Sequence, residues 1–135
     1  MAGYSGTPLE KKLGIKENFN VAFINAPNGF DQQLDIPPGV VINSRARKPL
    51  DLVLFFVKRR YDLEKRFSDY SVKLKQPGSF WISWPKKTSG VATDLDTNVV
   101  REVGLAKGMV DVKVCAIDEV WSGLKFVFRL KDRMP

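Results

Sequence analysis

The side chains able to do chemistry fall in a few short segments. Lys86-Lys87-Thr88-Ser89-Gly90 sets two ammonium groups, two hydroxyls and a glycine ahead of a stretch that reads as a helix capped by Thr93 or Asp94. Free N–H groups and the dipole at a helix start favour anions, so this loop suits a phosphate or a carboxylate. It matches neither G-x-x-x-x-G-K-[ST] nor G-x-G-x-x-G, and a solvated basic loop is the other reading of the same residues. Asp118-Glu119 is an adjacent acidic pair suited to acid/base work or to Mg²⁺. Consecutive strand-end residues point opposite ways, so a polar turn with Trp121 folded over the sheet edge is the stronger reading of these residues. Asn25, which ends an apolar run, completes the set of rim candidates.

What is missing narrows the chemistry further. With no histidine, the chain has no His general base, no His metal ligand and no His triad. One cysteine, Cys115, forms no internal disulfide and no cysteine zinc site. Its activation would need a lysine or a helix end, and it reads as structural. No metal site and no cofactor is expected. The 22 Lys+Arg against 15 Asp+Glu give a net charge of +7, which directs attention to anionic partners. Arg45, Arg47, Lys48, Lys58, Arg59, Arg60, Lys65 and Arg66 are dense enough to raise nucleic acid as a partner. They spread over a loop, a strand end and the outer face of a helix, and no RNA-binding aromatic signature accompanies them.

Positioning these groups requires a folded scaffold. At 135 residues and 44% hydrophobic content the chain makes one domain, residues 1–135, with a real core. Thr7 and Glu10 have capping-box spacing around Pro8, and Gly14 offers a left-handed stop, which predicts a short helix over 8–13. Val21-Ala22-Phe23-Ile24 reads as a strand ending in the turn Asn25-Ala26-Pro27-Asn28-Gly29. Leu52 to Val57 is apolar without alternation, as in the centre of a parallel sheet. Val40-Val41-Ile42 is a further strand only if Ser44 to Leu50 suffices for the return. From Arg60 the period becomes helical through Leu63, Phe67, Tyr70 and Leu74, with Pro77-Gly78 as its end. Phe80 to Trp84 is the next strand, closed by Pro85, and a second helix presents Leu95, Val99, Val103 and Ala106 inward, with Gly104 as a weak point and Gly108 as its stop. Val110 to Ala116 and Leu124 to Leu130 alternate with period two, which predicts an antiparallel pair at one edge.

The expected fold is therefore a three-layer, Rossmann-like α/β sandwich: a mostly parallel sheet with a C-terminal antiparallel edge strand, like a truncated methyltransferase-like fold. In open sheets of this kind ligands bind beyond the carboxyl ends of the strands. S-adenosylmethionine-dependent methyltransferases share such a layout, but they need close backbone approach through a glycine-rich turn. Asn25-Ala26-Pro27-Asn28-Gly29 supplies one glycine and a rigid proline, and no acidic residue clearly ends a second strand.

Gly3-Tyr4-Ser5-Gly6-Thr7-Pro8-Leu9, Trp84 to Leu95 and Val114 to Phe126 carry a resemblance to a bacterial family of small proteins classed as a domain of unknown function. It implies a bacterial, cytoplasmic protein and transfers no catalytic residues. The N-terminus has neither a basic region nor an apolar one, Ala2 stands where myristoylation needs glycine, and the longest apolar run is far below the roughly 20 residues of a membrane span. These point to a cytoplasmic location without a membrane partner. The expected function is a non-enzymatic module that binds a small anionic or phosphorylated ligand or a partner protein. The alternatives are a divergent methyltransferase-like enzyme and a basic nucleic-acid-binding protein.

Overall fold

In a computed structural model that describes residues 6–45 and 49–132, the apolar run after Pro49 forms β3 (Leu50–Phe56), and Leu52 through Phe56 are all at most 1% exposed. A strand with no polar face must be covered on both sides, and β3 lies third in a six-stranded sheet of order β2-β1-β3-β4-β6-β5. The others are β1 (Asn20–Ile24), β2 (Val41–Asn43), β4 (Leu74–Pro85), β5 (Met109–Ala116) and β6 (Trp121–Phe128). Strands β1 to β4 pair in parallel, and β6 runs antiparallel to both β4 and β5. The C-terminal hairpin does close one edge. Within it, β6 inserts one place in from the edge and β5 is outermost, because Leu124 and Phe126 are fully buried and need a neighbour on each side.

One face of the sheet carries two helices, α2 (Arg60–Ser71) and α3 (Thr97–Ala106). Leu63, Phe67, Val100 and Val103 pack there against Phe55, Phe80, Ile82 and Phe126. Among the described residues, the other face carries α1 (Leu9–Leu13) and the 25–40 connection, whose Phe30 and Leu34 join Leu13 and Ile15 over Leu54, Phe56 and Trp81. Gly14 ends α1 in the left-handed region, φ 86°, as its type requires.

Several expectations are corrected by tertiary partners. The Thr7–Glu10 capping box does not form: Pro8 is the N-cap, and Glu10, almost buried, accepts the Asp35 N–H at 3.1 Å. Leu74 opens β4 and is not in α2, and Pro77-Gly78 lies inside β4. The register shift between Leu50 and Leu52 places that segment in an irregular stretch, where a missing N–H is tolerated. Helix α3 is capped by Asp96, whose Oδ1 accepts the Val99 N–H at 2.8 Å, and not by Thr93 or Asp94. Leu95 is buried ahead of the helix, Val100 and Gly104 face inward in its first and last turns, and Ala106 is exposed. Strand β2 does form; three residues span only about 10 Å, so the short return after Asn43 can reach the start of β3. The last strand ends at Phe128, leaving Leu130 exposed in a 3-10 turn. In β5 the alternation yields no buried apolar row, since Val112 and Val114 are 55% and 54% exposed at the sheet edge and a bulge separates Asp111 from Lys113.

Gly104 pays for its weak helix propensity through packing. A Cβ there would stand 2.0 Å from Cε1 of the buried Phe126 ring, so only glycine lets α3 approach β6. Gly104→Ala, which would gain roughly 1 kcal/mol in an isolated helix, is expected to destabilise the protein by about 1–3 kcal/mol through overpacking. A urea titration of both proteins checks the sign.

Candidate functional site at the carboxyl rim

The chain leaves β1 for β2 on one side and returns to β3 on the other, so the connections after β1 and β3 part and leave a crevice at their carboxyl ends. A cleft of about 550 Å³ occupies that point, lined by Asn25 and Pro27 after β1, by Phe56, Lys58 and Arg59 at the end of β3, by Asp62 and Arg66 of α2, and by Trp121 at the start of β6. Its floor is aromatic. Phe56 meets Phe30 edge-on at 5.0 Å and Trp121 at 5.1 Å. Its wall is cationic, with Lys58, Arg59 and Arg66 exposed around the half-buried Asp62.

Local sequence explains this placement. The apolar run ends at Val57, so the backbone leaves the sheet where charge begins. Arg59 stays extended, φ −123° and ψ 138°, before α2 starts. The 86–96 connection then ties that turn down. Thr93 Oγ1 donates to the Lys58 carbonyl at 2.5 Å, and Asp94 Oδ1 accepts the Arg60 N–H at 2.7 Å, satisfying a donor that α2 leaves open at its start. Asp62 and Arg66 are four apart and so share a face of α2. Arg66 donates to the Tyr70 hydroxyl at 3.4 Å, a hydrogen bond that raises its pKa above the usual value. Asn25 takes a left-handed conformation, φ 58°, which turns the chain sharply after β1.

The sequence-predicted residues divide. Asn25 and Trp121 line the cleft. Asp118 is a turn residue: its Oδ1 accepts the N–H groups of Val120 and Trp121, both at 2.8 Å, while Glu119 is exposed, so the two carboxylates form no acid/base pair. Lys87-Thr88-Ser89 forms a 3-10 turn closed by Gly90 at φ 79°. Ser89 Oγ donates to the Lys86 carbonyl at 2.6 Å and accepts the Val91 N–H at 3.1 Å, and the Lys86 N–H donates to the Val120 carbonyl at 2.7 Å. The loop therefore joins the hairpin turn, and Asp96 stands between it and α3. Gly6 to Pro8 lie beside Ala116 to Asp118 around a smaller hollow of about 370 Å³, so parts of all three sequence motifs meet near the hairpin turn. Gly3, Tyr4, Ser5, Arg47 and Lys48 lie outside the described residues. Of the other clustered cations, Arg60 pairs with Glu64 and Glu102, and Lys65 lies over Tyr61. Asp62 went unread as a site residue, and Arg66 was read only among the clustered cations that raise nucleic acid as a partner; an i,i+4 charged pair in the helix after the central strand was the available signal. Among the described residues no group of three or more His, Cys, Asp or Glu gathers to hold a metal, and no helix is long and apolar enough to cross a membrane.

No protein-family model and no curated protein matches the chain. Solved structures do match in fold. A SAM-dependent methyltransferase from Aquifex aeolicus superposes with a TM-score of 0.64 at 12% identity, over 86% of this chain and 85% of that one. A putative type 11 methyltransferase from Sulfolobus solfataricus gives 0.63 at 15% identity, over 94% and 93%. Aeropyrum pernix fibrillarin, solved with natively bound S-adenosyl-L-methionine, gives 0.61 at 12% identity, over 85% of this chain and 69% of that one. The fold is thus Rossmann-like and methyltransferase-like.

The residues do not fit the adenosyl cofactor as such folds hold it. The turn after β1 carries Pro27 and a single glycine, Gly29, beside which a Cβ would meet only Gln32 Oε1 at 3.9 Å, so no tight backbone cradle exists there. The connection from β1 to β2 contains a three-residue 3-10 turn, Asp31–Gln33, and no helix whose start could face a ligand. At the end of β2, Asn43 Nδ2 donates to the Val21 carbonyl at 3.0 Å, and no carboxylate replaces it on that strand.

Cys115 lies on the α1 side of β5, where burial raises its thiol pKa above the ordinary 9.0 and Lys113 and Lys12 only partly oppose the shift. Ionisation therefore works against folding: the contribution is intact below the ordinary pKa and is lost as pH climbs through the raised one. Iodoacetamide should alkylate the folded protein more slowly than a urea-unfolded control at pH 8, and the gap should narrow as pH rises. Equal rates at pH 8, followed by mass spectrometry, would show an accessible, unperturbed thiol.

Proposed function

We propose that the chain is a divergent methyltransferase-like protein that has kept the rim cleft as a ligand site and takes there a small ligand pairing an anionic group with a flat, apolar part. The observation that carries this reading is the cleft itself: Lys58, Arg59 and Arg66 stand over a floor of Phe56 and Trp121 at the switch point of the sheet. Guanidinium groups hold phosphate or carboxylate by paired hydrogen bonds, and aromatic rings favour a planar group above them. Likeness to methyltransferases over most of the chain supports this placement over a free-standing module with its site on the Lys86–Gly90 loop. That likeness also favours a second reading, methyl transfer from an adenosyl donor held in an altered way, which the turn after β1 opposes.

Thermal melts with adenosine monophosphate, inorganic phosphate and S-adenosylhomocysteine, each against sodium chloride of equal ionic strength, test both. A ligand at about 100 times its Kd stabilises the native state by roughly 2.7 kcal/mol, about 5–10 °C for a domain of this size. The monophosphate is expected to give such an increment, Arg59→Ala with Arg66→Ala to remove it, and Lys86→Ala with Lys87→Ala to keep it. The reverse pattern in the two double variants would move the site to the loop. Stabilisation by S-adenosylhomocysteine alone would favour methyl transfer.

A further inference from the structure

A polar group lies buried beneath the floor of the rim cleft. Ser83 of β4 is fully buried, and its hydroxyl is the one buried side-chain polar atom among the described residues without a hydrogen-bond partner. Its neighbours Ile82 and Trp84 pack on the side of α2 and α3, so Ser83 faces the opposite side, that of Phe56, Trp81 and Trp121. In register it stands between Phe56 of β3 and Gly123 of β6. The Trp81 indole N–H, two residues back on the same face, is taken by the Leu13 carbonyl. Ile117 Cδ1 would lie 2.8 Å from a Cβ on Gly123, so apolar atoms fill that flank. The Phe56 and Trp121 rings meet edge-on at 5.1 Å, across β4, and both line the cleft. Their contact closes over the row that holds the orphaned hydroxyl.

Burying a hydroxyl without a partner is unfavourable, and alanine in its place would avoid that cost. Such a group has a use where a ligand completes it. Ile24 pairs with Phe55, so Asn25 follows at the level of Phe56 and brings an amide to the other flank of that ring. Lys58 and Arg59 come soon after Phe56 in the chain, so an anion held by them is a short link away from a ring lying on Phe56. A hydrocarbon ring there would leave the hydroxyl unpaired, whereas a ring with nitrogen or carbonyl groups on its edge would satisfy it. Sites that hydrogen-bond their ligand in this way discriminate strongly against an analogue lacking the matching group. With the rim cleft taken as a ligand site, we infer that Ser83 is a specificity-determining residue beneath its floor, and that the flat part of the ligand is a nitrogen heterocycle of the nucleobase kind, hydrogen-bonded to Ser83 once the Phe56 and Trp121 rings part. Trp121 is half-buried at the first position of β6 while Phe56 is fully buried, so Trp121 is the ring that swings.

The test compares adenosine monophosphate with naphthyl phosphate, a flat anion without a polar ring edge, by titration calorimetry on the wild type and on Ser83→Ala. The wild type should bind the nucleotide about tenfold more tightly than the naphthyl ester. Ser83→Ala should weaken the nucleotide by about tenfold and leave the naphthyl ester within about twofold. The ribose is unchanged between the two proteins, so this loss reports the base. Without ligand, Ser83→Ala should hold or raise the melting temperature, by up to about 5 °C, because it removes an unpaired buried group. Equal affinities for the two ligands in the wild type, a nucleotide affinity unchanged by Ser83→Ala, or a loss shared alike by both ligands overturns the inference and leaves the cleft reading in place. A lower melting temperature for free Ser83→Ala also overturns it, since that marks a hydroxyl already satisfied by an internal water. Binding of neither ligand, or binding that survives Arg59→Ala with Arg66→Ala, overturns the cleft reading and the inference together.

Discussion

The central strands are apolar on both faces, yet among the described residues full helices cover only one of them. Covering the second face falls to a five-residue helix and an irregular connection, neither of which is stable alone. What holds this cover in register is the buried Trp81. Its indole N–H donates to the Leu13 carbonyl at 3.0 Å, tying the last turn of α1 to the middle of β4 across 68 residues of sequence. A buried indole without that acceptor would leave a polar group unpaired, so the bond specifies position more than it adds net stability. Around it the rings of Phe23, Phe30, Phe56 and Trp121 meet edge to face in sequence, which makes the cover and the rim one continuous packing unit.

The rim inherits its shape from that unit and from the 86–96 connection. Thr93 and Asp94 spend their polar groups on the turn between β3 and α2, so the backbone from which Lys58 and Arg59 project is fixed at two points. The hairpin turn is fixed in the same manner by Asp118 and by the Lys86 N–H. Polar residues that look chemical in the sequence thus work as ties, and the cations they position remain exposed.

This division explains what could be read without a structure. The Leu52–Val57 run, the Val21–Ile24 strand and the Gly14 stop were legible because each follows from a local rule: burial on both faces, a turn signal, a left-handed cap. Starting α3 at Thr93 or Asp94 failed because three capping residues stand close together and tertiary partners claim the first two. Pro77-Gly78 misled because a breaker inside an irregular part of a strand looks the same as a breaker after a helix. The rim appeared as a list of strand ends, and Asn25 and Trp121 were found among them. The cleft's Asp62 and Arg66 come from a helix face read as solvent-facing. The contact of the Lys113 ammonium with the Lys12 carbonyl was invisible, since the two residues are 101 apart and only the docking of α1 beside the C-terminal hairpin brings them together.

The bulge in β5 reaches beyond its own hairpin. Edge strands offer a row of open N–H and C=O groups on which another chain can grow, and Val112 and Val114 would make such a template adhesive. Because the bulge lies between Asp111 and Lys113, a foreign strand aligned with Met109 to Asp111 falls out of step beyond it. The same irregularity turns Asp111 toward Arg101 of α3 and Lys113 toward α1, so charge flanks the exposed valines on both sides of the sheet. An outer strand rich in valine is in this way kept from seeding its own aggregation.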